Sequence, residues 1–159
     1  MDRKLIDTLK KTLDIEHLIG KCFERTSELI KNGKIKKKFL EFSRASLEAE
    51  GVLSQILNGL GEKKYFPQYE CKSCKISPES FSLLGLLNLG IELNKALLRF
   101  YKELKKELSN KKILDKFLQE RKKSLLFLKK ERTFKDRDEA FLDFKKRCYG
   151  FSCLKPPFV

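Results

Sequence analysis

Features that mark several common classes of protein are scarce or missing in this chain of 159 residues. There is one His, so no nucleophilic arrangement built on histidine can be recognised from spacing. His17 follows Asp14 at the spacing of a helical ligand pair, but both lie on a polar face, which favours a surface histidine. Glycine-rich phosphate loops are absent. No run reaches the ~18 apolar residues of a membrane span, and the start, MDRKLIDTLKK, lacks the apolar core of a signal peptide, so we expect a cytoplasmic protein.

Positive charge is what the chain has in excess. Lys and Arg number 36 against 22 Asp and Glu, which gives a formal net charge of +14. Such a charge attracts polyanions, and KIKKK (34–38) and KDRDEAFLDFKKR (135–147) are candidate contact segments for nucleic acid. The basic residues are nevertheless spread along every segment and mixed with acids, which is typical of solvated helical surfaces.

Apolar residues recur at helical spacing in four long segments, so the sequence predicts an all-α protein. With 41% hydrophobic residues, the chain can build a single core. Each of the four predicted helices has one stripe of residues that should face this core. In chain order, the four stripes are Leu9, Leu13, Glu16, Gly20, Phe23, Ser27 and Ile30; Phe39, Phe42, Ala45, Ala49, Val52, Leu53, Ile56 and Leu60; Leu83, Leu87, Gly90, Asn94, Leu97, Tyr101, Leu104 and Leu108; and Leu114, Phe117, Arg121, Ser124, Leu125 and Leu128.

The lengths of the connections predict how the helices are arranged. Short turns join the first helix to the second and the third to the fourth, so each pair should form an antiparallel hairpin. Residues 61–76 can extend to about 50 Å, whereas the second helix is about 39 Å long. This connection can cross the whole bundle, as in a ferritin-like four-helix bundle; a simple up-down-up-down bundle is the alternative. We expect the bundle to span 1–132, and 133–159 to form a short C-terminal helix and a tail packed on it.

Polar residues occupy the middle of the predicted stripes. Glu16, Asn94 and Arg121 stand where apolar residues are expected, and Glu48 lies beside the second stripe. Because a buried charge is costly unless it is paired, we expect Arg121 to pair with Glu16, Glu48 or both. Asn94 and Ser124 would take the remaining hydrogen bonds. The alternative is that Arg121 extends to the surface and Asn94 is simply a packed amide.

Four segments, IEHLIGKCF, SLEAEGVL, ELNKALLRFY and LQERKKSLLFL, carry a resemblance to a known family. They resemble the metal-binding helices of the rubrerythrin-like members of the ferritin-like superfamily, over about residues 5–130. The di-iron centre of that family takes a Glu from each of two helices and a Glu-x-x-His pair from each of the others. The resemblance implies that Glu16 and Glu48 match two of these carboxylates. It also implies departures from the family's His, Glu, Glu and His at Gly51, Asn94, Arg121 and Ser124.

These departures predict a degenerate di-iron site. Two iron ions need several ligands and carboxylates to neutralise their charge, whereas Arg121 supplies a fixed cation. We therefore expect a non-catalytic bundle that acts as a binding or structural module, with an unidentified protein partner and with homodimer formation left open. One alternative is a rubrerythrin-like oxidoreductase that uses Glu16, Glu48 and either Glu50 or Glu92. Another is a basic nucleic-acid-binding protein.

The cysteines give a second candidate site. Cys71 and Cys74, in CKSC, have the spacing with which a backbone knuckle presents two thiolates to one metal ion. Cys148 and Cys153, in CYGFSC, form a looser pair in the tail. The predicted topology brings both pairs towards one end of the bundle, so a four-cysteine zinc site is expected. Two disulfides and unligated thiols are the alternatives, and Cys22 is assigned to the core.

Overall fold

Four α-helices make up most of the described part of the chain. The computed structural model describes residues 2–63, 65–67 and 83–149, with 135–149 as backbone. The helices are α1 (Arg3–Ser27), α2 (Gly33–Gly59), α3 (Leu83–Glu107) and α4 (Lys111–Tyr149). No strand occurs in these ranges, which confirms the all-α bundle. None of the helices described there is both long enough and apolar enough to span a membrane.

Short polar residues and one glycine set the ends of the first two helices. The Asp2 carboxylate accepts a hydrogen bond from the Lys4 amide at 2.9 Å and so caps the start of α1. The Asn32 side chain accepts from the amides of Lys34 and Ile35 at 3.1 and 3.2 Å, so it caps the start of α2. Gly61, with φ of 90°, follows the end of α2 in the left-handed conformation that glycine adopts without steric cost.

The first two helices pack side by side in opposite directions. His17 of α1 lies against Glu50 of α2, and Gly20, one turn later, accepts a hydrogen bond from Ser43. Residue numbers on α2 therefore fall as those on α1 rise. The two helices form an antiparallel hairpin, as the short connection predicts.

The other contacts give the directions of α3 and α4. Glu16 lies against Tyr101, and Phe23, two turns further along α1, lies against Gly90, so α3 is antiparallel to α1. The fourth helix is likewise antiparallel to α2. Lys116 of α4 contacts Glu48, and Phe127, further along α4, contacts Phe42, which comes earlier in α2. It follows that α2 and α3 are parallel, and that the end of α2 and the start of α3 lie at opposite ends of the bundle. Most of the predicted crossover, residues 68–76, lies outside the described residues.

The fourth helix is longer than the sequence analysis predicted. It runs without interruption from Lys111 to Tyr149, whereas a separate short helix was expected from residue 133. The expected break is wrong because the segment contains neither Gly nor Pro, and the first glycine after Lys111 is Gly150.

The core contains the predicted stripes of α1, α3 and α4, except that Leu108 and Leu125 are only partly buried, but α2 is turned differently. Phe42, Ala45, Val52 and Ile56 are only partly buried. Apolar residues cover more than half of the circumference of α2, so helical periodicity alone does not define its inward face. The buried residues of this helix are Ile35, Phe39, Ser43, Ser46, Ala49, Leu53 and Leu57.

A buried polar cluster as the candidate functional site

Four polar side chains, one from each helix, meet in the middle of the bundle. Each lies on the inward face of its helix, where the apolar residues before and after it seal it from solvent. Their exposed fractions are 0% for three and 1% for the arginine. This set, called the polar cluster below, consists of Glu16, Ser46, Tyr101 and Arg121.

The Glu16 carboxylate is the centre of the polar cluster. The Tyr101 hydroxyl donates a hydrogen bond of 2.6 Å to Glu16 Oε1. Arg121 Nη1 lies 3.7 Å from Glu16 Oε2 and donates a hydrogen bond of 3.0 Å to Ser46 Oγ. The predicted pairing of Arg121 with Glu16 is therefore present, and the arginine does not extend to the surface. At 3.7 Å the pair is ionic without being a direct hydrogen bond.

Burial and neighbouring charges shift the acidity of the cluster. Burial raises the pKa of Glu16 above its ordinary value of 4.5, while Arg121 and the hydroxyls of Tyr101 and Ser46 lower the pKa by smaller amounts. Burial and the Glu16 carboxylate raise the pKa of Tyr101 well above 10, so its hydroxyl remains a donor at neutral pH. The cluster therefore holds a carboxylate and a guanidinium together at high desolvation cost.

The second predicted carboxylate is not part of the cluster. The Glu48 side chain is 52% exposed and forms an ion pair of 2.6 Å with Lys116. Gly51 is also exposed, and a Cβ added there would meet nothing within 4 Å. Of the pairings expected for Arg121, the one with Glu48 is therefore not formed, because positions 46 and 48 lie roughly 200° apart around a helix.

Two members of the polar cluster, Ser46 and Tyr101, were not predicted from the sequence to be hydrogen-bonding partners. Ser46 lies seven residues after Phe39 and seven before Leu53, so heptad spacing from these core residues could have identified it. Tyr101 was placed on the stripe of α3, where its phenol among aliphatic residues was the available signal. Both supply hydroxyl groups to the cluster, whereas helical periodicity indicates only which residues are buried.

Asn94 and Ser124 are buried close to the same level but bond within their own helices. Asn94 Nδ2 donates to the Gly90 carbonyl at 2.7 Å, and Ser124 Oγ donates to the Glu120 carbonyl at 3.0 Å. Within the described part of the chain, neither makes the predicted hydrogen bond to Glu16 or Arg121.

Close approach of the helices brings the cluster together. A Cβ added at Gly20 would lie 2.9 Å from Leu47 Cδ2, and one at Gly90 would lie 2.8 Å from Phe23 Cζ. The Phe23 ring itself stacks on Phe39 with centroids 4.7 Å apart. Small residues at these two positions let α2 and α3 approach α1 near Glu16.

The other side chains considered as metal ligands contact residues outside the polar cluster. His17 Nδ1 lies 3.1 Å from both carboxylate oxygens of Glu50, while Asp14 accepts a hydrogen bond of 2.8 Å from Tyr65. Glu92 is 70% exposed and pairs with Lys95. The lone histidine and the two acids proposed for an oxidoreductase therefore do not converge on Glu16.

Most of the predicted zinc site lies outside the described residues. Cys71, Cys74 and Cys153 fall outside the described residues, and Cys148 belongs to the part of α4 described as backbone. Cys22 is fully buried, which confirms its assignment to the core. Within the described ranges, no group of three or more His, Cys, Asp or Glu residues could hold a metal ion.

Comparisons with known protein families, with curated proteins and with solved structures find no match for this chain. Its function is therefore inferred from the chemistry of its own residues.

Proposed function

We propose that this protein is a non-catalytic bundle of the ferritin-like class that serves as a binding or structural module. The observation that carries the proposal is the position of Arg121, whose guanidinium lies 3.7 Å from Glu16 and whose side chain is 1% exposed. A guanidinium stays charged in proteins, so a fixed cation occupies the bundle where a di-iron centre would need carboxylates.

The directions of the helices support the ferritin-like class. Every pair of neighbouring helices is antiparallel, while α2 and α3 are parallel. Parallel second and third helices are what one long crossover between them would produce, and such a crossover is the feature of ferritin-like bundles.

The donor set does not fit a di-iron centre. Of the six positions that the resemblance aligns with metal ligands, Glu16 alone is a buried carboxylate. Glu48 faces solvent, Arg121 is a cation, and the other three are Gly51, Asn94 and Ser124.

Access to the cluster also argues against catalysis. Its four side chains are between 0% and 1% exposed, so a substrate could reach Glu16 only if the helices separated. We therefore assign the cluster a structural role. Because a buried ion pair can specify one alignment of helices, it would fix the register in which the four helices pack.

Zinc bound by Cys71, Cys74, Cys148 and Cys153 is part of the proposal. Leu128 of α4 lies beside Gly90 near the start of α3, so α4 continues past the start of α3 at that end of the bundle, and position 148 lies about 30 Å further along the helix than Leu128. A site there would join the segment before α3 to the C-terminal tail.

Elemental analysis of the full chain, purified without added metal, tests both parts. Iron and zinc are measured in the wild type, in Cys71→Ser and in Glu16→Gln. We expect zinc at one ion per chain in the wild type and in Glu16→Gln, its loss in Cys71→Ser, and no stoichiometric iron.

The other outcomes are equally informative. A pair of irons per chain that persists in Cys71→Ser and disappears in Glu16→Gln would overturn the non-catalytic proposal in favour of the oxidoreductase. A wild type free of both metals would overturn the zinc site and leave the arginine-centred bundle in place.

A further inference from the structure

A lysine-rich groove lies between the C-terminal half of α3 and the N-terminal half of α4, far along the bundle from KIKKK. Its volume is about 660 Å³, and Leu118 forms part of its floor. The charged residues that line it, defined here as the lysine groove, are Lys102, Lys105, Lys106, Lys111, Lys122 and Asp115.

Most of the charge in the lysine groove is not neutralised. Lys105 forms an ion pair with Asp115. The other four lysines make no ion pair with any residue in the described ranges. The acids Glu103 and Glu107 lie on another side of α3, where they line a smaller pocket against the start of α1. Lys106 also lines that smaller pocket, so it lies at the boundary between the acidic side of α3 and the lysine groove.

The stability of the helices explains only part of this pattern. Lysines in the last turn of α3 favour its negative C-terminal end, which accounts for Lys105 and Lys106. Lys111 stands in the first turn of α4, where a cation opposes the helix dipole and no acid is present to offset it. Lys111 thus opposes the dipole of its own helix, and it lines a groove whose unpaired charges are all positive, which indicates a binding role.

We propose that the lysine groove binds the phosphate backbone of a nucleic acid without reading its base sequence. The inference rests on the proposed function, because it names the partner class of the binding module. Among the residues that the structure describes, the groove lining contains no Arg for bidentate recognition of bases and no aromatic ring for stacking. Its lysines are mobile point charges of the kind that neutralise backbone phosphates.

An acidic protein segment fits the groove less well. Helices that dock in grooves anchor themselves through several apolar residues. Among the described residues, Leu118 is the one apolar residue in the lining, and its exposed fraction is 6%. The other apolar surface of the groove belongs to the stems of its long polar side chains, so the groove offers no apolar pocket for an anchor, and its ammonium groups suit a partner with charge at every repeat of its backbone.

The test is a fluorescence anisotropy titration of labelled single-stranded RNA and DNA of mixed sequence over a range of salt concentrations. The groove variant combines Lys102→Gln, Lys106→Gln, Lys111→Gln and Lys122→Gln. The matched control removes the same charge from exposed positions outside the groove and outside both candidate contact segments, with Lys11→Gln, Lys31→Gln, Lys129→Gln and Lys130→Gln. Thermal melts followed by circular dichroism confirm that both variants fold.

The groove variant should lose at least about tenfold in affinity at roughly 0.1 M salt, and its plot of log K against log salt should be shallower by about 3. The control should stay within about twofold of the wild type. Equal losses in the two variants would show that binding follows net charge and would overturn the inference. So would an absence of binding, or tighter binding to polyglutamate than to the oligonucleotides.

The two proposals can fail separately. A chain that binds no nucleic acid but has the expected metal content overturns the inference about the groove alone. Iron bound through Glu16 overturns the non-catalytic proposal and does not affect the groove.

Discussion

Replacing Arg121 by Met is the most direct test of the role given to the polar cluster. Methionine keeps most of the volume of the arginine stem and removes the charge. Glu16 would then remain buried with hydroxyl groups as its partners. We expect Arg121→Met to lower the free energy of unfolding by about 3 kcal/mol at neutral pH, because one partner of a buried ion pair is lost.

This magnitude follows from the geometry. Two unit charges 3.7 Å apart attract each other by about 4 kcal/mol at an effective dielectric constant of about 20. Breaking a buried pair typically costs about 3–5 kcal/mol. Arg121 lowers the pKa of Glu16, so in its absence Glu16 takes up a proton more readily, which relieves part of the cost. The cost should therefore lie near the lower limit and shrink as the pH falls through the pKa of Glu16.

The assay is urea denaturation followed by circular dichroism, with Arg99→Met as the matched control. Arg99 is an exposed arginine of α3, so its replacement should change stability by less than about 0.5 kcal/mol. The double variant Glu16→Gln/Arg121→Met should cost less than the two single changes added together, with a coupling of about 1–3 kcal/mol. A near-neutral Arg121→Met, or an additive double variant, would refute the reasoning.

Two further predictions concern the pH dependence of stability and the packing of the helices. Burial raises the pKa of Glu16 in the folded state above its ordinary value of 4.5, which applies to the unfolded state. At pH values between the unfolded-state and folded-state pKa, the folded state therefore binds more protons than the unfolded state. The contribution of Glu16 to stability should therefore be complete below about pH 4.5 and decline as the pH rises through the folded pKa. Urea titrations across this range should show the decline in the wild type and in the exposed control Glu92→Gln but not in Glu16→Gln; the same slope in all three would contradict the assignment. Gly90→Ala should cost about 1–3 kcal/mol, because its Cβ would lie 2.8 Å from Phe23 Cζ. Gly51→Ala, which meets nothing within 4 Å, should instead stabilise the protein by up to about 1 kcal/mol, and equal effects in thermal melts would argue against close packing at Gly90.

The positions of the buried polar residues on three helices could be predicted because each continues a regular series of core positions. Glu16, Asn94 and Arg121 stand three or four residues from their neighbours on the stripes of α1, α3 and α4, so this spacing placed them inward. On α2 the apolar residues extend around the helix, and several rotations would bury a similar area. The error at Glu48 and the omission of Ser46 have this common cause.

The sequence by itself determined the four long helical segments, the inward faces of α1, α3 and α4, and the burial of a carboxylate, an amide and an arginine, because these follow from local spacing. Tertiary structure decided which groups meet. The rotation of α2 directs Ser46 to the Arg121 guanidinium and Glu48 to Lys116. Two residues only two positions apart therefore lie on opposite sides of the helix, one buried and the other exposed. Tertiary structure also brings Lys102 and Lys106 beside Lys111 and Lys122, since two helices must pack before their charges line one groove.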